Sequence, residues 1–308
     1  SDLGSTNGSF VNRERLEPNV ATPLNAGDIL HFGKSEFRLK SKSTVLNQTI
    51  AATDLMNMTV MADLSAPLPE HFALQEQEFL EMLSQDLVTV AYQPIVDFDQ
   101  RRLMAYEVLG RGKHPLLPQA PIRLLELASL LGKEVALSEA FRSAGARAAA
   151  NIPGPVRLFM NTHPSEMFTE RLYASLDQIL AVAPNMDLVI EVHETAVAEV
   201  DKMKVMAERL RSMGVKFAYD DFGAGQSRLN ELAEVPPDFV KFDMSLIRNI
   251  DQASATKQNM VSRLVHMVKD LGSVALAEGV ESEGEAALCQ RMGFQLCQGY
   301  LTGRPALV

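Results

Sequence analysis

The chain of 308 residues has no tryptophan, only two cysteines and 6% aromatic residues. Cys289 and Cys297 lack paired CxxC spacing, which argues against a disulfide scaffold or structural zinc site and for reduced, buried thiols. No apolar run approaches the ~18–20 residues that a bilayer span requires. Residues 1–10 are polar and glycine-rich, without the pattern of a secretory leader, so the cytoplasm is the expected compartment. Basic charge is also in short supply, with 29 Lys and Arg against 39 Asp and Glu and a net charge of −10. A general DNA, RNA or anionic-membrane binder carries the opposite balance, because phosphate neutralisation supplies most of that affinity. An acidic protein that handles phosphates needs a local remedy, either a few placed cationic side chains or bound metal ions. What remains is an ordinary globular mixture, 46% apolar and 22% charged, long enough for one large domain or two common ones.

Residues 1–40 alternate turn signals with short apolar runs. Ser5-Thr6-Asn7-Gly8 leads to Phe10-Val11-Asn12, Asn25-Ala26-Gly27-Asp28 to Ile29-Leu30-His31-Phe32, and Gly33-Lys34-Ser35 to Glu36-Phe37-Arg38-Leu39. The pattern predicts antiparallel strands, too few to bury a core alone. The stretch from Asp2 to Asn12 resembles the forkhead-associated (FHA) domain, a β-sandwich that binds phosphothreonine, and Gly27-Asp28 and Phe32-Gly33 fit its final strands. Only the C-terminal part of that sandwich is covered. The family's upstream Gly-Arg and Ser-x-x-His elements have no counterpart, whereas Ser5, Thr6 and Asn7 match its peptide-contacting loop. The resemblance implies a phosphothreonine protein as partner of a full-length protein, not of this chain alone. Residues 41–72 read as a linker. Residues 41–69 hold only Lys42, Asp54 and Asp63 as charges and no glycine, with Thr44, Thr49, Thr53 and Thr59 as candidate phosphorylation sites.

From residue 73 to 308 the pattern changes. An amphipathic helix at 74–83 leads into apolar strand candidates at 88–96, 103–109, 156–160, 188–192, 215–219, 239–242, 274–277 and 294–297. Helical patterns fall between most of them, at 122–150, 166–183, 197–213 and 256–271. Eight strands with helical crossovers predict an α/β fold, a (β/α)8 TIM-like barrel. The gap between the first two strands is too short for a crossover, so the first strand must pair antiparallel.

Each run ends in, or carries, a polar residue able to hold a cation or a phosphate: Gln93, Glu107, Asn161, Glu191, Asp220, Lys241, Glu278 and Gln298. The C-terminal strand ends of such a barrel converge on one mouth, where its active sites lie. One carboxylate after a strand is commonly a helix N-cap; a whole ring of them strains that explanation. Clustered carboxylates repel one another, and hard divalent cations resolve the conflict. Oxygen ligands with one amide favour Mg²⁺ or Mn²⁺ over zinc. The adjacent Asp220-Asp221 suits a bridge between two ions, the arrangement that serves phosphoryl displacement. Enolase-like and aldolase-like barrels also gather acidic ligands around Mg²⁺.

The residues become specific as ordered motifs. Tyr92-Gln93-Pro94-Ile95-Val96, Glu107-Val108-Leu109-Gly110-Arg111, Glu191-Val192-His193-Glu194, Asp220-Asp221-Phe222-Gly223-Ala224-Gly225, Val240-Lys241-Phe242-Asp243, Ala277-Glu278-Gly279-Val280-Glu281 and Gln298-Gly299-Tyr300 occur in sequence. With Asn161 they resemble the EAL family of bacterial cyclic di-GMP phosphodiesterases over about residues 75–306. The resemblance implies that Glu107, Asn161, Glu191 and Asp220 hold a first metal, and Asp220 and Asp221 a second. It implies that Lys241 contacts the nucleophilic water, that Glu278 assists the metal–water network, and that Glu194 anchors the loop after Asp221. Gln93, Leu109, Arg111 and Gln298 match substrate-contacting positions, and Arg111 suits a phosphate. The implied reaction opens one phosphodiester bond of cyclic di-GMP to give linear pGpG. The competing expectation is an inactive EAL domain acting as cyclic di-GMP receptor or protein-interaction module, which loss of acidic positions would signal; here every one is present.

Departures lie elsewhere. Gly110 and Gly112 flank Arg111 where bulky residues are common. Gln226-Ser227-Arg228 replaces the usual aromatic-Ser-Ser in a loop that couples the family's metals to its homodimer interface. No GGDEF synthase motif precedes the barrel, so degradation of the messenger is expected, not synthesis. His193 is expected to turn away from the face of Glu191, Asp243 to act beside the site or as a strand cap, and Met203, Met206 and Met213 to be filler.

Overall fold

The computed structural model describes residues 9–11, 14–17, 20–24, 28–32 and 35–39, then 72–307 apart from 151, 153, 184, 194–198 and 225–228. The residues read as linker apart from Phe72, which opens the first helix, the FHA loop residues Ser5, Thr6 and Asn7, and Glu194 and Gln226 to Arg228 lie outside them. The N-terminal part forms a four-stranded antiparallel sheet of β1 (Ser9–Val11), β2 (Glu14–Arg15), β3 (Ile29–Phe32) and β4 (Ser35–Arg38), in the order β2-β1-β3-β4. It follows the turn signals read above.

The larger part is a closed barrel. Its strands are β5 (Val88–Asp97), β6 (Leu103–Gly112), β7 (Val156–Asn161), β8 (Met186–His193), β9 (Lys216–Phe222), β10 (Phe239–Phe242), β11 (Val274–Ala277) and β12 (Leu296–Cys297). They pair in chain order, and β12 returns to β5 to close the ring. Strand β5 runs antiparallel to both its neighbours β6 and β12, as the short first connection requires; the pairs from β6 to β12 are parallel. A short β13 (Ala306–Leu307) adds to β5.

The helices are α1 (Phe72–Ser84), α2 (Pro121–Leu131), α3 (Glu134–Ala149), α4 (Glu170–Val182), α5 (Val200–Ser212), α6 (Leu229–Glu234), α7 (Met244–Ile247), α8 (Ala255–Asp270) and α9 (Glu283–Met292). Two depart from the sequence pattern for local reasons. The run at 122–150 is two helices, because Gly132 takes a left-handed conformation (φ 62°) that ends α2. The helix expected from 166 begins at 170, where the Thr169 side chain caps it by accepting from Leu172 N–H. Met203 and Met206 of α5 are buried in the core as expected. Both cysteines are buried and unpaired, and burial pushes each thiol up to about 12. Among the described residues no helix is long and apolar enough to cross a membrane.

Inside the barrel, Ile95, Ala105, Phe159, Val189, Ala218, Phe239, Leu276 and Leu296 form a separate buried cluster, one residue from each strand. This apolar floor has a direct consequence. Residues two apart in a strand share a face, so a step of two from every floor residue toward the mouth gives the next inward layer. Those steps land on Gln93, Glu107, Asn161, Glu191, Asp220, Lys241, Glu278 and Gln298. The eight polar residues picked out in the sequence are one layer of the barrel.

On the outer face of β6, Gly110 lets α3 approach closely. A Cβ built there lies 2.2 Å from the Phe141 ring, too close without movement of the helix. Gly110→Ala is therefore expected to lower stability by about 1–3 kcal/mol, with partial recovery when Phe141→Leu is added. Urea unfolding midpoints measure both; an unchanged midpoint in Gly110→Ala would mean that α3 moves without cost.

Candidate active site at the barrel mouth

Lys241 occupies the centre of the polar layer, with its side chain only 1% exposed. Its ammonium lies 2.5 Å from Glu191, 2.8 Å from Asp220, 2.9 Å from Glu278 and 3.8 Å from Glu107. Burial works against its charge, yet Asp220, Glu107, Glu191 and Glu278 outweigh burial and hold its pKa well above the ordinary lysine value. Burial raises Glu191 and Glu278 well above the usual carboxylate range; Glu107 and Asp220 add to this, against the pull of Lys241. One ammonium does not balance so many carboxylates.

A fifth carboxylate arrives through a local irregularity. Strict alternation would send Asp221 to the opposite face from Asp220. Between β9 and β10 the register runs Tyr219 to Val240 and then Phe222 to Phe242, so Asp220 and Asp221 together stand opposite Lys241. This is a β-bulge, and Asp221 absorbs it at φ 55°, a conformation that Asp tolerates better than most side chains. One oxygen each from Asp220, Asp221 and Glu278 then falls within 4.8 Å of the others. Burial and the neighbouring Asp220 push Asp221 up to about 7.

The other predicted residues surround this core. Gln298 and Glu107, 191 positions apart, meet as Gln298 Nε2 donates to Glu107 Oε2 and, at 3.1 Å, to Gln93 Oε1. Asn161 Nδ2 donates to Glu107 Oε1 at 3.3 Å. Arg111, half-buried, shares the face of Glu107 and Leu109 and folds back to donate to the Gly110 carbonyl at 2.8 Å. Asp243 caps the helix α7 by accepting from Ser245 N–H, where a strand cap or a role beside the site was expected. His193 corrects an expectation: it follows Glu191 by two residues, so alternation keeps both on one face. Its Nε2 lies 3.5 Å from Asp221 Oδ2, and burial pushes its pKa down. Sequence reasoning also missed Thr162, whose hydroxyl donates to the Glu191 carbonyl at 2.6 Å and ties β7 to β8.

Both Glu191 carboxylate oxygens, Asp220 Oδ1 and Gln298 Oε1 are buried without a hydrogen-bond partner. Two of these, Glu191 Oε1 and Asp220 Oδ1, are ion-paired with Lys241, which leaves Glu191 Oε2 and Gln298 Oε1 as the orphans. Orphaned buried oxygens are costly unless something positive satisfies them. Carboxylates plus one amide, with no thiolate, form the donor set of hard divalent cations. The residues present fit such ions.

The FHA domain profile matches residues 1–33, and the EAL domain profile matches residues 76–305. The probable cyclic di-GMP phosphodiesterase PdeN of Escherichia coli is 29% identical over 239 residues, 74% of this chain and 45% of the relative. The cyclic di-GMP phosphodiesterase RocR of Pseudomonas aeruginosa is 31% identical over 222 residues, 70% of this chain and 56% of RocR. The chain thus spans about half the length of these curated relatives. Among solved structures, the PaMucR phosphodiesterase in complex with c-di-GMP superposes with a TM-score of 0.66 at 27% identity, covering 76% of this chain and 98% of that one. Klebsiella pneumoniae BlrP1, solved with manganese and cy-diGMP at pH 6, gives a TM-score of 0.63 at 31% identity, covering 72% and 56%. With a profile match over most of its length and the matching barrel, the chain belongs to the EAL domain family.

Proposed function

We propose that this chain hydrolyses one phosphodiester bond of cyclic di-GMP to linear pGpG, with Mg²⁺ or Mn²⁺ bound at the barrel mouth. The observation that carries the proposal is the polar layer itself, in which carboxylates crowd Lys241 and leave buried oxygens unsatisfied. The names of the relatives and the nucleotide in the PaMucR structure favour this substrate. Glu107, Asn161, Glu191 and Asp220 would hold one cation, and Asp220 and Asp221 a second. When bound, the cations supply Lewis acidity at the phosphoryl group and favour ionisation of water.

The protein's own residues do the rest. Lys241 is a fixed positive charge beside Asp220 and Glu278, placed to orient an attacking water and to stabilise negative charge on the phosphoryl oxygens. Glu278, less enclosed than Glu191 and with a raised pKa, is suited to exchange a proton with that water. Gln298, from the far end of the chain, holds Glu107 in place across β5. Arg111 swings from its own backbone to a substrate phosphate, while Gln93, Leu109 and Gln298 line the substrate's approach. By the family resemblance, Glu194 would anchor the loop that follows Asp221. In the full-length protein the FHA part would dock a phosphothreonine segment, with domains at 1–40 and 73–308 and a linker at 41–72, in a cytoplasmic protein that forms homodimers through the EAL domain.

The test is turnover. The purified chain with Mg²⁺ or Mn²⁺ is expected to convert cyclic di-GMP to pGpG, followed by ion-pair chromatography, and Glu107→Ala to reduce the rate to background. Tight nucleotide binding without turnover across metal concentrations would instead establish a receptor. Absence of both would leave a protein-interaction module.

A further inference from the structure

Outside the polar layer, Arg142 of α3 and Glu166, in the short turn that follows β7, are among the most enclosed charges of the described residues. Their side chains are 2% and 0% exposed. The pair is bidentate, with Arg142 Nη1 donating to Glu166 Oε1 and Nη2 to Oε2, each at 2.7 Å. Ser138 bridges it on the helix side, accepting from Arg142 and donating to Glu166 at 2.7 Å. Arg142 Nη2 also reaches Ser175 at 3.4 Å, while Arg142 Nε is left without a partner.

Stability alone is a poor explanation for such a pair. Removing two charges from water is costly, and well-packed apolar side chains in the same space are often as stable or more so. Apolar replacements cannot supply the pair's contacts to the backbone. Arg142 Nη1 donates to the carbonyl of Asn161 at 3.2 Å, and Glu166 Oε1 accepts from the His163 N–H at 2.8 Å. These two groups flank Thr162, whose hydroxyl is bonded to the Glu191 carbonyl. The chain is therefore held on both sides as it leaves β7, at the residue that presents its amide to Glu107.

We propose that the Arg142–Glu166 pair is a positioning device that fixes Asn161 as a cation ligand. The proposal rests on the reading of Asn161 as a ligand. The pair touches neither substrate nor cation; it acts by setting the direction of the Asn161 backbone, as outer partners of metal ligands commonly do.

The experiment is calorimetric titration of Mn²⁺ alone into the purified chain, without nucleotide. Asn161→Ala calibrates what the amide contributes. The double variant Arg142→Met, Glu166→Met is expected to remain folded, yet to bind Mn²⁺ about tenfold more weakly. Adding Asn161→Ala to the double variant should then cost little more, because both changes remove the same contribution. Unchanged Mn²⁺ affinity in a folded double variant overturns the proposal. Should the double variant not fold, Arg142→Lys serves: it keeps the charge against Glu166 but lacks the fork that also reaches Asn161. Severalfold weaker Mn²⁺ binding at the parental unfolding temperature supports the proposal, and parental affinity overturns it. If Asn161→Ala itself leaves Mn²⁺ binding unchanged, the ligand reading fails and the proposal falls with it. If Asn161→Ala weakens binding and the pair variants do not, the positioning device alone is refuted.

Discussion

Replacing Lys241 by methionine is expected to reduce cyclic di-GMP turnover by about 10²–10³-fold, the usual consequence of removing one preorganised electrostatic contact to the reacting group. It should also destabilise the chain stripped of divalent cations. Methionine matches the length of lysine but leaves Glu191, Asp220, Glu278 and Glu107 facing one another without their shared counter-charge. Removing one partner from a buried ion pair costs about 3–5 kcal/mol, which for a domain of this size is a fall in Tm of roughly 6–20 °C. Mn²⁺ should return part of the lost stability, since saturation to a hundredfold excess over Kd adds about 2.7 kcal/mol to a folded state that binds it. Turnover should not return with it. Scanning calorimetry with and without Mn²⁺, beside the rate assay, separates the two roles. A variant as stable as the parent in chelator, or one that regains turnover with Mn²⁺, would refute the assignment of Lys241 as both counter-charge and catalytic group.

The legibility of this site in the sequence follows from the geometry of a strand. Inward-facing residues recur at every second position along a strand, and the floor and the polar residues differ by two positions in all eight cases. A regular period of two is readable without coordinates, so Gln93, Glu107, Asn161, Glu191, Lys241, Glu278 and Gln298 could be found from strand ends alone. Asp221 needed more, because its carboxylate reaches the mouth only through a bulge and a left-handed backbone, neither of which has a pattern in residue types. The error over His193 was one of counting, as the same period places it with Glu191. Arg142 and Glu166 were hidden for a different reason. Charges on a helix pattern are by default solvated, and only the packing of α3 against the turn after β7 shows that these two are enclosed.

Three substitutions at Asp221 separate its charge from its backbone. Asp221→Asn keeps the shape and the tolerance for φ 55° but removes a carboxylate from a crowded cluster; it should fold at least as well as the parent and lose turnover by about 10²-fold. Asp221→Gly relieves the backbone altogether and should behave alike, stable and slow. Asp221→Val removes the same charge but forces a β-branched residue into a conformation that costs about 1–3 kcal/mol, so its unfolding midpoint should fall where the other two do not. The turnover of all three should fall together, because all three lack the carboxylate charge that sits within 4.8 Å of Asp220 and Glu278. If only Asp221→Val lost activity, Asp221 would matter for the bulge and not for the chemistry. Equal loss in Asp221→Asn and Asp221→Gly, with stability intact, would assign the bulge its purpose: it brings a second carboxylate from one strand to one face, where regular alternation would have turned it away.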